Sequence, residues 1–313
     1  MSGRQYTRGM RLWPVIYPVL FYFAVCQILD MVQQILPFTA GFDAVMRQGV
    51  DTLGGLAALY VYEHQKEKCQ RELTGVRHAD RRKLACSIVD FLKGARPGEK
   101  GLSMKAGRET YMSSDGSKSV DSSKTGGRIA SGCLAAAIML GCGSFALNNL
   151  IAITDLMQRS SGYQFVQKSF YSSGLFWEIA VLCVLTPVTE ELLYRSIVFS
   201  ELRGWLGRWG AIFGSALLFG AMHMNLVQMI YAFGLGFLLG ILMERYGDVR
   251  IAMCGHIAAN LLSVLRSEMG LLTGLEKGSA AFWAATTGTL FIALALTAWC
   301  AKKMPAVDGA QNL

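Results

Sequence analysis

The chain has 313 residues, 52% of them hydrophobic and only 17% charged, where soluble domains carry about 25% charged residues. With a mean hydropathy of +0.35, this composition excludes disorder and argues against a soluble globule. The net charge of +8 is concentrated in residues 64–128, which hold fifteen Lys and Arg against eight Asp and Glu; with no aromatic platform for stacking bases, that segment reads as a partner of anionic membrane lipid and not of nucleic acid.

Arg4, Arg8 and Arg11 lead into an apolar run at 12–29. Its length and the lack of an A-x-A site predict an uncleaved first helix. A second, weaker span is expected at 42–62, where Asp43, Arg47 and Asp51 recur every four residues, share a helix face and can pair. The polar stretch 63–127 follows. Residues 78–92 within it read as a helix lying on the membrane surface, and the Gly-, Ser- and Lys-rich remainder as a flexible linker. Six further spans are expected at 129–153, 175–199, 209–222, 226–243, 251–265 and 280–301.

The fold class predicted is therefore all-α: a polytopic transmembrane helical bundle of about eight spans with a basic cytoplasmic segment. Arg203, Arg208, Arg245, Arg250, Lys302 and Lys303 fall on the same side as the basic segment, and the outer loops carry only Arg159, Lys168 and Lys277. The positive-inside rule then puts both termini of a multi-pass cell-membrane protein in the cytoplasm. The expected organisation is two N-terminal helices (1–62), the basic segment (63–127), a third helix and outer loop (128–173), a catalytic core (174–270), and a last helix with a polar tail (271–313).

Eight cysteines occur without a CxxC pair or finger spacing. They are expected to be reduced thiols packing as small hydrophobes. Gly234, Gly236 and Gly240 form GxGxxxG with no strand before it. Close helix packing through Gly236 and Gly240 explains this pattern better than a dinucleotide loop.

Charged groups inside an apolar span cost roughly 2.5–3.5 kcal/mol each on insertion scales, so their presence asks for a function. The 175–199 span carries Glu190, Glu191 and Arg195. Glu191 and Arg195 are four apart and can form an ion pair on one face. Glu190 is rotated by ~100° from its neighbour and is left spare. Pro187 is expected to bend the helix. His223 and His256 also lie in or beside apolar segments, with Phe219 and Asn260 one turn away from them respectively. Glu190, His223, His256 and Asn260 thus form a candidate inward cluster. A carboxylate beside an imidazole can deprotonate water, and a second imidazole and an amide can stabilise an oxyanion. The same Glu and two His can instead ligate zinc with one position open. No HExxH, G-x-S-x-G or Walker sequence occurs, which favours activated water over a covalent nucleophile.

The run Glu190-Glu191-Leu-Leu-Tyr-Arg195 resembles the EExxxR motif of the CPBP family, the type II CAAX prenyl endopeptidases and related bacteriocin-processing and self-immunity proteins. Phe219 to His223 resembles its FxxxH motif and His256 to Asn260 its HxxxN motif, in the family's order. The resemblance covers about residues 174–265. Ser196 stands where family members often have Gly. The resemblance implies an eight-helix intramembrane protease enclosing a water-filled cavity. Glu190 would be the general base with His223 as its partner, His256 and Asn260 the oxyanion side, and Glu191 and Arg195 the pair that orients the site. It leaves the metal question open: a metal-free, glutamate-dependent reaction is favoured, and zinc on Glu190, His223 and His256 is the alternative.

The leading expectation is an intramembrane endopeptidase acting on a peptide or lipidated protein, either a prenylated CAAX tail or a leader peptide or bacteriocin. A non-catalytic immunity or scaffold protein of the same fold and a proton-coupled transporter are the competing readings. No oligomeric state follows from the sequence.

Overall fold

In lipid a backbone amide finds no water, so an apolar run satisfies its amides within its own helix. The computed structural model of the protein describes residues 8–36, 43–74, 122–171, 173–270 and 274–304. Every regular element among them is helical: α1 (Arg8–Ile35), α2 (Ala44–Thr74), α3 (Ser122–Ile153), α4 (Ser161–Phe170), α5 (residues 175–198), α6 (Phe199–Ala221), α7 (Leu226–Tyr246), α8 (Val249–Glu268) and α9 (Ala280–Lys302), with a single turn at Leu156–Arg159 before α4. The expected surface helix at 78–92 and most of the linker around it lie outside the described residues.

The chain is an all-α polytopic bundle. Among the described residues five helices are long and apolar enough to cross a membrane, or six if α4 and the continuous 175–221 helix, bent by 115°, form one broken span. The stretch expected at 209–222 is set off from the helix before it by the non-helical Gly207, and α2 is too polar to be among the five.

The core forms where α3 packs on α8 and α9 and where α6 packs on α7. A Cβ on Gly236 would stand 3.1 Å from the Ala216 Cα, and one on Gly240 would stand 3.3 Å from the Ile212 Cα. The GxGxxxG pattern is therefore a close-packing face between α6 and α7. Their short connection is set by Asn225, whose side chain caps α7 by accepting from the Gln228 amide at 2.9 Å. At the other end Glu244 of α7 holds both arginines that flank the turn within α6: Arg203 through two bonds of 2.8 and 3.0 Å and Arg208 at 2.9 Å. The turn itself is Gly207, at φ 72° and ψ −171°, a conformation that residues with a Cβ rarely adopt.

The helix carrying the ionisable cluster runs on through Pro187. Leu185 and Thr186 keep helical dihedrals, and a π-helical segment, Ile179–Leu185, precedes the proline. A second π segment, Leu192–Val198, follows the short α-helical piece Thr186–Glu191. In π geometry each amide reaches back five residues, and the wider turn gives the proline ring room. Such segments occur most often at functional sites.

α1 and α2 form a pair that packs on α5. Asp51 of α2 accepts from Gln33 of α1 at 2.7 Å. Asp43 accepts from the Met46 amide at 2.9 Å and so caps the start of α2. Two polar residues of this weak span are thus used across the helix pair and at the helix end. A Cβ on Gly55 would run into the Tyr22 ring, so the glycine admits that side chain between the two helices.

Candidate active site

α5 is where the bundle gathers its charge. Glu191 and Arg195 are fully buried and form the expected pair, with Nη1 donating to Oε1 at 3.0 Å. The arginine also donates from Nη2 to the Gly236 carbonyl at 3.2 Å, and its guanidinium lies 4.7 Å over the Phe219 ring. Glycine at 236 therefore does two things: it brings α7 close to α6, and it presents a backbone carbonyl to a buried cation. An ion pair without water is tolerated only when such further partners offset its desolvation.

Glu191 has a second partner. Its Oε1 meets His256 Nδ1 of α8 at 2.8 Å. An ionised carboxylate can only accept, so Nδ1 carries the hydrogen and the neutral ring presents its lone pair at Nε2. Nε2 faces Glu190, with Oε2 3.7 Å away. That separation is too long for a direct hydrogen bond and matches two polar groups that share a third. Glu190 keeps a side-chain exposure of 19%, where Glu191 and Arg195 have none. The spare carboxylate of the sequence is thus also the accessible one.

Of the two imidazoles, that of His256 comes within 4 Å of Glu190. His223 ends α6 and is half-buried; its Nδ1 bonds the Phe219 carbonyl at 2.8 Å. A carbonyl only accepts, so Nδ1 is again the protonated nitrogen and Nε2 is left free. Both imidazoles meet the same ring edge to face: His223 and His256 lie 5.0 and 5.6 Å from the Phe219 centroid, and Tyr194 lies 5.1 Å from it. Phe219 is 2% exposed and is the hub on which Arg195 and both histidines are placed. The sequence shows this residue only as a neighbour of His223.

Asn260, expected on the oxyanion side, donates from Nδ2 to the Leu182 carbonyl at 2.8 Å. Tyr22 of α1 lies within electrostatic reach of Glu190. No local spacing could reveal either contact, because each joins helices far apart in sequence. An apolar cavity of about 230 Å³, lined by Gly141, Phe145, Leu262 and Thr289 among others, shares no residue with the cluster.

Among the described residues no group of three His, Cys, Asp or Glu side chains is placed to hold a metal ion. The Nδ1 bonds of both histidines leave Nε2 as the nitrogen that would ligate zinc, the arrangement usual for metal-binding imidazoles.

Residues 172–262 match the family model described as type II CAAX prenyl endopeptidase Rce1-like. No curated protein and no solved structure matches the chain. The matched segment opens just before α5 and closes just after Asn260, so it contains Glu190, Glu191, Arg195, His223, His256 and Asn260 and leaves out α1, α2, α3 and α9. The likeness to the Rce1-like type II CAAX prenyl endopeptidases thus rests on residues 172–262, the part of the chain that carries all six side chains.

Proposed function

We propose that the chain is an intramembrane endopeptidase that hydrolyses a peptide bond in a membrane-associated substrate, using water activated by Glu190. One observation carries this reading: the partly exposed carboxylate of Glu190 faces His256 Nε2, the ring nitrogen that is not bonded to Glu191. A water molecule held between the two gives up a proton to Glu190 as its oxygen attacks the scissile carbonyl. The proton then passes to the leaving amine as the bond breaks, so water and peptide become one acid and one amine. Glu191 orients the His256 ring, and Arg195 holds Glu191 in place. His223 offers its free Nε2 from the other side of Phe219. The reaction so drawn needs no cofactor.

The substrate class we favour is a prenylated C-terminal CAAX tail, on the strength of the family's description; a leader peptide or bacteriocin is the second class. The partners are then that peptide or lipidated protein and membrane lipid. The clustering of Arg203, Arg208 and Arg245 near one end of α6 and α7 supports cytoplasmic termini, with that end facing the cytoplasm.

The test uses purified full-length protein in liposomes, offered a farnesylated CAAX peptide, its unprenylated form and a set of leader peptides. Cleavage of the prenylated peptide is expected, unchanged after chelation and dialysis. Stoichiometric zinc in the active protein, with activity lost on chelation and restored by zinc, would overturn the cofactor-free mechanism. Failure to cleave any member of the set would return the chain to the scaffold reading.

A further inference from the structure

Pro187 creates a specific hydrogen-bond deficit. Just before it, Thr186 donates to the Val181 carbonyl, five residues back, which is the π register. The next amide in that register would serve the Leu182 carbonyl, and the next residue is Pro187, which has no N–H. The orphaned carbonyl is the one that accepts from Asn260 Nδ2 at 2.8 Å. A buried carbonyl without a donor is costly in a bundle that lies in lipid.

We infer that Asn260 is a positioning residue whose side-chain amide substitutes for the peptide hydrogen missing at Pro187, tying α8 to α5 at Leu182, about two turns before Glu190. Three residues separate Pro187 from Glu190 on α5, and one helical turn separates Asn260 from His256 on α8. The brace therefore fixes the register of the two helices that hold the facing carboxylate and imidazole. One Nδ2 hydrogen of Asn260 serves as this tie, and the second stays available as a donor. The tie's consequence for catalysis rests on the peptidase reading above; the hydrogen-bond exchange itself does not.

That exchange can be reversed chemically. Pro187→Ala returns an N–H in register with the Leu182 carbonyl, and Asn260→Leu removes the side-chain donor at similar volume. The full-length wild type, both single variants and the double variant are compared by thermal unfolding in detergent and by kcat and KM on a prenylated CAAX peptide in liposomes. Asn260→Leu is expected to lower the unfolding midpoint and to reduce kcat by about 10- to 100-fold, the scale of a misplacement of about 1 Å, with KM little changed. Pro187→Ala/Asn260→Leu is expected to recover most of both losses. If Asn260→Leu yields no folded protein, recovery of folded protein in the double variant is the same rescue.

A double variant no better than Asn260→Leu in unfolding midpoint would overturn the brace. Recovery of the midpoint without recovery of kcat would overturn the positioning role and return Asn260 to direct contact with the reaction. If the wild type itself cleaves nothing, the peptidase reading falls, while rescue of the midpoint still supports the exchange at Leu182.

Discussion

Glu190→Gln should reduce kcat/KM for peptide cleavage by about 10³-fold or more while leaving the protein folded, since a positioned base contributes about 10²–10⁴. The two substances differ by one oxygen for one NH₂, so packing around the site is preserved. Glu190 takes no part in the buried ion pair and keeps 19% side-chain exposure, so its charge contributes little to holding the helices together. What Gln cannot do is take a proton from water facing His256 Nε2. The unfolding midpoint is therefore expected to stay within a degree or two of wild type, on the usual scaling for a change of a few tenths of a kcal/mol. A variant that retains a tenth of wild-type cleavage removes Glu190 from the role of base. One that also loses its fold makes Glu190 a structural residue.

The neighbouring carboxylate should behave in the opposite way. Arg195→Met leaves Glu191 as a fully buried charge without its cation, a loss of about 3–5 kcal/mol in comparable buried pairs. The guanidinium also bonds the Gly236 carbonyl and covers Phe219, so its removal loosens the contact between α5 and α7 as well. Glu191→Gln/Arg195→Met removes both charges. It should be more stable than Arg195→Met, because no uncompensated charge remains, yet still inactive, because Gln fixes the tautomer of His256 less firmly than a carboxylate does. Thermal unfolding of the single and double variants in detergent reads this directly. Additive destabilisation, with the double variant worse than the single, would show that the pair does not act as a unit.

These contrasting roles of adjacent glutamates were partly legible in the sequence. The i, i+4 spacing of Glu191 and Arg195 marks a pair on one helix face, and Glu190 is left spare by the same arithmetic. The Gly236 and Gly240 face follows from residue size alone. His256 was visible as an inward histidine, but its partners were not. The bond from its Nδ1 to Glu191 joins helices 65 residues apart. That bond leaves Nε2 facing Glu190. Pro187 was visible as a helix-disturbing residue, but the π segments that flank it and the donor that α8 supplies to the Leu182 carbonyl were not. Tyr22 reaches the site from a helix that carries none of the three motifs, through space that Gly55 leaves open. Periodicity finds faces of single helices, and each of these features belongs to a contact between two.

Water attack assisted by Glu190 is tested most directly by a single turnover in ¹⁸O-labelled water, with enzyme in excess over a cleavable prenylated peptide. The label is expected in the new C-terminal carboxylate of the product, with none in the side chain of Glu190 when the protein is digested and weighed by mass spectrometry. Label incorporated into the Glu190 carboxylate would mean that this group attacks the peptide itself through an anhydride, and would contradict the account.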